Sequence, residues 1–141
     1  MADQFSILNS QFLIVNSSFS ILNLIPMANA IQDKSRAFAI KIINCYKYLI
    51  EEQHEYVLSK QLLRSGTSIG ANTRESKNAQ SRNDFLSKLS IALKEADETD
   101  YWLDLLHATD YLDDEKYDSL AEDCNEIIKI LTSIIQTLKD K

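Results

Sequence analysis

Two carboxylates lie on a partly apolar helical strip, where they could serve either acid–base chemistry or ion pairing. Glu95, Glu98 and Trp102 follow one another at intervals of three and four residues, which places them on one face of a helix. Charges this close to a core are normally paired, and Arg64 or Arg74 could supply the cation. Because no second catalytic group lies nearby in the sequence, we predict a structural ion-pair network rather than an active site.

Two histidine spacings loosely resemble the Glu-x-x-His motif of di-iron helical bundles. Glu51 precedes His54 by three residues, and Asp104 precedes His107 by the same interval. His54 falls among several glutamates, which is typical of a solvated helix end, and such spacings are common on exposed helices. A metal-dependent bundle enzyme is therefore the least favoured alternative, and we expect no metal or other cofactor. The sequence also lacks a Gly-rich phosphate loop, a nucleophile elbow and a Cys–His pair.

The two cysteines, Cys45 and Cys124, both lie on apolar helical stripes. A cysteine in such a position usually acts as a small buried hydrophobic residue. Neither belongs to a C-x-x-C pair, which excludes a thiolate zinc site. We predict two reduced core cysteines in a cytoplasmic protein, with a structural disulfide as the minor alternative.

The only two glycines, Gly66 and Gly70, lie inside a predicted helix. Each costs up to about 1 kcal/mol relative to alanine. Small residues at this spacing let a neighbouring helix approach closely, so we predict close packing within the protein. The alternative is a surface approached by another chain or a ligand. Asn72 lies on the apolar stripe of the same helix, where a buried amide needs partners and can fix register.

The rest of the chain has the pattern of long helices. It contains two glycines and one proline, Pro26, so turns and helix breakers are scarce. Apolar residues recur every three or four positions from Ile31, from near Tyr56, from Ser81 and after the polar turn 113–115. Four such segments with short connections predict an all-α, antiparallel up-down four-helix bundle.

These four apolar stripes also predict the core. The residues from Ser81 to Asp84 resemble a capping box with Asp in place of Glu, which marks the start of the third helix. The predicted core residues are Ile31, Phe38, Ile42, Cys45 and Leu49, then Leu58, Leu62, Ser65, Ile69 and Asn72, then Phe85, Leu89, Ala92, Ala96, Thr99, Leu103 and Leu106, and finally Tyr117, Leu120, Cys124, Ile127, Leu131, Ile134 and Leu138.

The first 26 residues differ from everything that follows. A seven-residue repeat begins at Phe5, and the segment holds a single charged residue, Asp3. It lacks the basic start and unbroken apolar centre of a secretory signal, and its apolar runs are too short to span a membrane. We interpret residues 1–26 as a translated DNA repeat upstream of a natural start at Met27. The four-helix bundle is accordingly assigned to residues 27–141.

Charge is segregated along the chain. Residues 34–94 hold eleven Lys and Arg against five Asp and Glu, whereas residues 95–126 hold thirteen acids and one lysine. A net charge of −6 makes a poor general nucleic-acid binder. Cations around the junction of helices 2 and 3 could still form a local patch, and a basic half facing an acidic half suits subunits in a ring. The remaining alternative is that these charges are solvated helix faces.

The first and fourth helices carry wide apolar surfaces. Ile128, Ile130 and Ile135 lie outside the main stripe of the fourth helix. A bundle of this size has difficulty burying all of these side chains, so self-association is a natural outlet. An ordinary broad core face is the competing interpretation.

Several sequence blocks together resemble the four-helix bundle proteins of the 23S ribosomal RNA intervening-sequence family. The resemblance covers about residues 31–138. Members often have Ala where this chain has Gly66 and Gly where it has Ser76, and the first 26 residues have no counterpart. The blocks that carry the resemblance are 62–72, Glu75, Asp84-Phe85, 88–96 and 98–103.

The resemblance implies a bundle that assembles as a homopentameric ring, in a family without an established enzymatic activity. Members are encoded within insertions in bacterial large-subunit ribosomal RNA genes and also elsewhere in genomes. A similar bundle is the accessory protein of diversity-generating retroelements, where a basic pentamer engages reverse transcriptase and nucleic acid. That role transfers poorly to an acidic chain.

We therefore predict a non-catalytic, cytoplasmic homo-oligomer that acts in protein or RNA association and makes no contact with membranes. The alternative is a nucleic-acid-binding accessory module that uses the basic helix 2–3 region. The candidate interaction or network residues are Arg64, Ser65, Gly66, Gly70, Asn72, Arg74, Glu75, Lys77, Arg82, Lys88, Glu95, Glu98 and Trp102.

Overall fold

A computed structural model describes residues 23–140 of the chain. Within that range the chain forms four α-helices and no β-strand. The prediction of an all-α protein with four helices is confirmed. The helices are α1 (Leu24–Glu51), α2 (Leu58–Ser76), α3 (Arg82–Ala108) and α4 (Asp114–Lys139).

The helices pack around one core in cyclic order. Each helix contacts the next along the chain, and α4 returns to contact α1. All seven residues of the stripe predicted for α3, from Phe85 to Leu106, are buried. The five predicted for α1 and six of the seven predicted for α4 are buried as well, with Tyr117 partly buried at the rim. The apolar spacing thus identified the core-facing side of these three helices.

The buried face of α2 differs from the prediction at both ends, since Leu58 at its start is only partly buried against the core. Asn72 is only half-buried, and Thr73 beside it is fully buried. The Thr73 hydroxyl donates a hydrogen bond of 2.7 Å to the carbonyl of Ile69, so it enters the core with its donor satisfied. The Asn72 amide donates to the carbonyl of Ser68, also in its own helix. An amide has more polar atoms to satisfy than a hydroxyl, and this favours Thr73 as the core residue.

Helix α1 begins seven residues before the predicted Ile31. Leu24 and Ala28 are buried against the core, and Pro26 lies in the first turn, where a missing N–H costs nothing. Most of the predicted extension, including the heptads up to residue 22, lies outside the described residues. The proposed start at Met27 stays a prediction.

The two later helices begin at side-chain caps. The Ser81 hydroxyl accepts a 3.0 Å hydrogen bond from the N–H of Asp84, as a capping box requires. The Asp84 carboxylate accepts from the N–H of Gln80 rather than from that of Ser81, so the second hydrogen bond of a capping box is displaced by one residue. At α4 the Asp113 carboxylate accepts from the N–H of Lys116, and this bond lowers the Asp113 pKa.

A buried carboxylate organises the turn between α1 and α2. Glu55 accepts hydrogen bonds from the N–H groups of Val57, Leu58 and Ser59 at 3.1, 2.8 and 2.6 Å. Burial alone would raise the pKa of Glu55, but these backbone hydrogen bonds outweigh it and the pKa is lowered. The first turn of α2 therefore obtains its cap from a residue upstream of the helix, which explains why α2 starts at Leu58 and not near Tyr56.

Two turns adopt the left-handed conformation without glycine. His54 follows α1 with φ 55°, and Asp110 follows α3 with φ 67°. Beyond each residue the chain bonds back to the helix, from the N–H of Glu55 to the carbonyl of Leu49 and from Leu112 to Leu106. These two helices therefore end at a histidine and an aspartate in place of glycine. Both residue types adopt positive φ more readily than most others, although less favourably than glycine.

The two glycines lie directly against α1 where it packs on α2. A methyl group on Gly66 would lie 2.8 Å from both Cγ atoms of Ile42, and one on Gly70 would lie 3.3 Å from the carbonyl oxygen of Ser35. Both distances are tighter than ordinary contacts, so a larger residue would force the helices apart. The prediction that the glycines permit close packing is confirmed.

Gly66→Ala should destabilise the protein despite the better helix propensity of alanine. The propensity gain of up to about 1 kcal/mol is smaller than an overpacking cost of about 1–3 kcal/mol against Ile42. In an Ile42→Ala background the same substitution should instead stabilise, because the new methyl group enters the vacated space. Urea unfolding of the four chains of this double-mutant cycle measures the coupling. Stabilisation by Gly66→Ala in the wild-type background would contradict the close-packing argument.

Glu55→Gln should lower the free energy of unfolding by about 1 kcal/mol at neutral pH, because it removes the charge that accepts three N–H bonds. Since the folded pKa of Glu55 is lowered, its contribution is complete above the unfolded glutamate pKa and is lost as pH falls through the folded pKa. The difference between variant and wild type should therefore shrink in acid, as urea unfolding across pH would show. Glu52→Gln, an exposed neighbour, is the control; a pH-independent difference at Glu55 would refute the account.

Candidate functional site

An ion-pair network joins α2 to α3. Arg64 Nη1 lies 3.2 Å from Glu95 Oε2, and Nη2 hydrogen-bonds Glu98 Oε1. The indole N–H of Trp102 donates to the same Glu98 oxygen at 3.2 Å. The structure thus brings together Arg64, both carboxylates of the predicted strip and the tryptophan, and it selects Arg64 over Arg74 as the cation.

Two further contacts connect α2 and α3 on either side of this network. In the core, Thr99 Oγ1 lies 2.9 Å from Ser65 Oγ, so both buried hydroxyls have a partner. Towards the other end, Lys88 Nζ lies 2.9 Å from Glu75 Oε2. The hydrogen bond and the charge of Glu75 raise the pKa of Lys88. These polar groups hold one helix to another, which leaves them poorly placed to act on a substrate.

The remaining predicted residues lie elsewhere on the bundle. Gly66 and Gly70 contact α1, and Arg74 lies with Gly70 beside the groove between α1 and α2. Arg82 at the start of α3 donates to the carbonyl of Leu138 near the end of α4. Asn72 and Lys77 are half-buried on the α2 side. The thirteen candidate residues therefore do not form one site.

The basic helix 2–3 region offers few free cations. Arg64 and Lys88 are ion-paired with acids of the neighbouring helix, and Arg82 is held by a carbonyl. Of the five predicted cations of this region, Arg74 and Lys77 take part in no ion pair among residues 23–140. A cation already paired contributes little to phosphate binding, so this region is a weaker nucleic-acid surface than the sequence suggested.

The unpaired cations lie mainly on the α1/α2 side of the bundle, which we call the basic face. Arg36 and Lys47 on α1 share a helical stripe with the exposed side chains of Ile40 and Ile43. On α2, Lys60 and Arg74 occupy the corresponding stripe. None of these four cations takes part in an ion pair among the described residues. The sequence signal was present as isoleucines off the core stripe, but their exposure depended on how α1 is rotated.

A group of unpaired acids lies on the α3/α4 side, which we call the acidic face. Asp33 and Glu51, on the stripe of α1 that carries Arg36 and Lys47, are also exposed and without an ion pair among the described residues, so the basic face is not free of acids. The acidic face comprises Asp97, Asp100 and Asp104 on α3 with Asp118 and Glu122 on α4, and none of them takes part in an ion pair within the described range. Burial and the nearby charges of Asp104 and Asp97 raise the pKa of Asp100. The pKa of Tyr117 is raised mainly by burial, and further by the negative charges of Asp100, Asp104 and Asp118. Acids from both helices thus act on one tyrosine, which shows that they share a surface.

The histidines have local partners. His54 Nδ1 lies 3.2 Å from the hydroxyl of Tyr56 in the exposed α1–α2 turn. His107 Nε2 lies 2.7 Å from Asp114, and its ring stacks on Tyr117 at 4.1 Å between centroids. Within residues 23–140 no three His, Cys, Asp or Glu side chains are grouped so that they could hold a metal ion.

Both thiols are free and buried, which confirms the prediction that the two cysteines are core residues. Burial raises the Cys45 pKa to about 11, with a small opposing effect of Lys116. Burial, reinforced by the charges of Asp100 and Asp97, raises the Cys124 pKa to about 12. Neither thiol forms a nucleophilic thiolate near neutral pH.

The exposed apolar surface differs from the one expected. On α4, Ile135 is buried and Ile128 and Ile130 pack partly against the core. Among residues 23–140 the exposed large apolar side chains lie outside α4, because α4 presents its broad face to both α1 and α3. They are Ile40, Ile43, Tyr56, Val57, Ile91 and Tyr101.

A surface groove lies between α1 and α4 and has a volume of about 460 Å³. Lys41 on its wall contacts Asp123 at 2.5 Å, and the Lys116 ammonium lies 4.7 Å from the centre of the Tyr48 ring. Cys45 lies at its base. Both lysines of the groove already have partners, which leaves them poorly placed to bind a ligand.

No helix among residues 23–140 has the combined length and apolar character needed to cross a bilayer.

Residues 27–133 match the family model of the 23S rRNA-intervening sequence protein. The chain is also similar to a solved protein of unknown function from the S23 ribosomal protein family of Bacteroides thetaiotaomicron VPI-5482. The two are 58% identical with a TM-score of 0.77, and the match covers 78% of this chain and 98% of the other. No curated protein matches the chain significantly.

Arg64→Met should lower the free energy of unfolding by about 1 kcal/mol, because it leaves two neighbouring carboxylates without their cation. The loss stays modest since the Arg64 side chain is half-exposed and screened by solvent. Adding Glu95→Gln to this variant should recover part of the loss by removing the repulsion. Urea unfolding checks both steps, with the exposed Lys94→Met as control. Equal losses for Arg64→Met and Lys94→Met would argue against a stabilising network.

Proposed function

The chain belongs to the 23S rRNA-intervening sequence protein family, and from this premise we propose that it is a non-catalytic association protein that assembles into a homo-oligomeric ring. One observation carries the proposal: unpaired charges and exposed apolar side chains occur together on particular faces of the bundle. A monomer gains nothing from this arrangement, whereas subunits that meet there bury the apolar groups and pair the charges.

The exposed apolar residues are large and lie within ordered helices. Tyr101 is 56% exposed on α3, and Ile40 is 44% exposed on α1 with Ile43 one turn away. Isolated exposed residues are normal on a protein surface, but aromatic and branched side chains next to uncovered charges are typical of protein–protein contacts. These residues therefore support self-association more strongly than the α4 isoleucines, which are largely covered.

The proposal includes an up-down topology for the bundle. Between α1 and α4, Lys34 pairs with Glu126 and Lys41 with Asp123, so the contacts run in opposite directions along the two helices. Arg64 with Glu98 and Glu75 with Lys88 follow the same antiparallel order between α2 and α3. This topology keeps the long helices parallel to one axis and leaves broad side surfaces for neighbouring subunits.

A non-catalytic role is supported by how the reactive groups are used. The Glu98 carboxylate is engaged by both Arg64 and Trp102. The thiols of Cys45 and Cys124 are buried and held protonated by raised pKa values. The polar groups that could have served chemistry thus serve the packing of the helices. We propose that the protein acts in the cytoplasm, where its buried thiols stay reduced, and that the ring contacts an RNA or a protein partner.

Size-exclusion chromatography with light scattering on the full chain tests the assembly. A ring should give a single species of several times the 16.1 kDa chain mass, and a pentamer about five times that value. Its mass should be stable to dilution in the micromolar range. A monomer at micromolar concentration would remove the basis of the proposal.

A further inference from the structure

The basic face contains a shallow groove with cations on both sides. The groove lies between α1 and α2 and has a volume of about 240 Å³. Its floor consists of small residues, since Ala39, Gly70 and Ala71 leave space between the helices. Arg36 borders it on α1 and Arg74 on α2. An apolar side chain could enter this groove while two guanidinium groups remain free for carboxylates.

The acidic face carries a matching projection. Tyr101 is more than half exposed at the centre of the α3 stripe, with Asp97 one turn before it and Asp104 one turn after it. All three side chains therefore point to the same side of α3. A tyrosine between two carboxylates complements a small-residue groove between two arginines in both shape and charge.

The acidic face also carries unrelieved repulsion. The like charges of Asp97 and Asp104 act on Asp100 and raise its pKa together with burial. No cation among the described residues pairs with these acids. A cationic surface placed against them would relieve the repulsion and favour the ionised carboxylates.

We propose that the basic face of one chain docks on the acidic face of a second copy, with Tyr101 in the α1/α2 groove and its flanking aspartates on Arg36 and Arg74. The inference rests on the proposed self-association and specifies its faces. Each face then has an apolar centre surrounded by charged groups that find opposite charges, as protein interfaces do. A nucleic acid would satisfy only the basic face and would be repelled by the acidic one.

The two faces are placed for a head-to-tail contact. In the cyclic order of the helices, the α1/α2 side lies across the bundle from the α3/α4 side. One chain can therefore engage two neighbours at once, through different surfaces. Such a heterologous contact produces a closed ring when the successive rotations complete a full turn, and a filament when they do not.

Charge reversal on the full chain tests the assignment. The basic-face variant is Arg36→Glu/Arg74→Glu, and the acidic-face variant is Asp97→Lys/Asp104→Lys. Each should raise the dissociation constant of the assembly about tenfold or more, measured by sedimentation velocity. All four positions are exposed, and circular dichroism melts should confirm that each variant folds. Control reversals at exposed sites outside both faces are Lys139→Glu and Glu52→Lys.

Mixing the two reversal variants gives the sharpest result. The intact acidic face of one should dock on the intact basic face of the other, and the two reversed faces should pair with each other. Assembly should therefore strengthen on mixing relative to either variant alone. Alternating variants close rings of even size, whereas a five-membered ring would keep one mismatched junction, so the readout is the heterotypic association itself. Tyr101→Ala should weaken assembly without changing its salt dependence, because it removes the apolar contact and keeps the charges.

The remaining outcomes separate this inference from the proposed function. A wild-type oligomer unaffected by either reversal would overturn the docking faces and leave the ring in place. A wild-type monomer would overturn both. A mixture that associates no better than either variant alone would exclude the head-to-tail pairing. The docking would also be refuted if the basic-face variant assembles normally but loses binding to a short RNA hairpin, since the basic face would then serve nucleic acid.

Discussion

The close approach of α1 and α2 is the constraint on which the rest of the bundle depends. Ile42 occupies the space that a side chain at residue 66 would need, and the backbone of Ser35 lies against Gly70. This contact fixes the separation and rotation of the two helices. The rotation of α1 then places Phe38 in the core and leaves Ile40 and Ile43 exposed. The chain has only two glycines, and both are used here instead of in the turns.

The charged side chains of the bundle fall into two groups: those that form ion pairs between neighbouring helices, and those that form none among the described residues. Cations that point from one helix towards the next, such as Lys41 and Arg64, meet acids across the contact. Those on the basic face, such as Arg36 and Arg74, meet none within residues 23–140. Because both kinds are surface residues of similar type, composition could not separate them. The difference arises from the direction of each side chain relative to the helix axes, which is a property of the fold.

The sequence was informative wherever a local rule decides the outcome. Helical periodicity identified the core of α3 completely, and the Ser81 cap followed from residue type and spacing. It also predicted that a cation would pair with Glu95 and Glu98. It could not decide which arginine does so, because that depends on the offset of α2 against α3. It also missed the Glu55 cap, since the carboxylate lies outside the helix that it stabilises.

The separation of the two charged faces makes the molecule an electric dipole directed across its helices, apart from its net charge of −6. A charged partner that approaches such a dipole experiences a torque before any atoms touch, and this torque turns the complementary side towards it. Orientation then precedes contact, and the rate of encounter falls as salt shortens the range of the field. The rate of separation depends instead on short-range packing at the apolar centres. The arrangement of unpaired charges therefore governs how quickly this bundle finds a partner, while Tyr101 and the α1/α2 groove govern how long it keeps one.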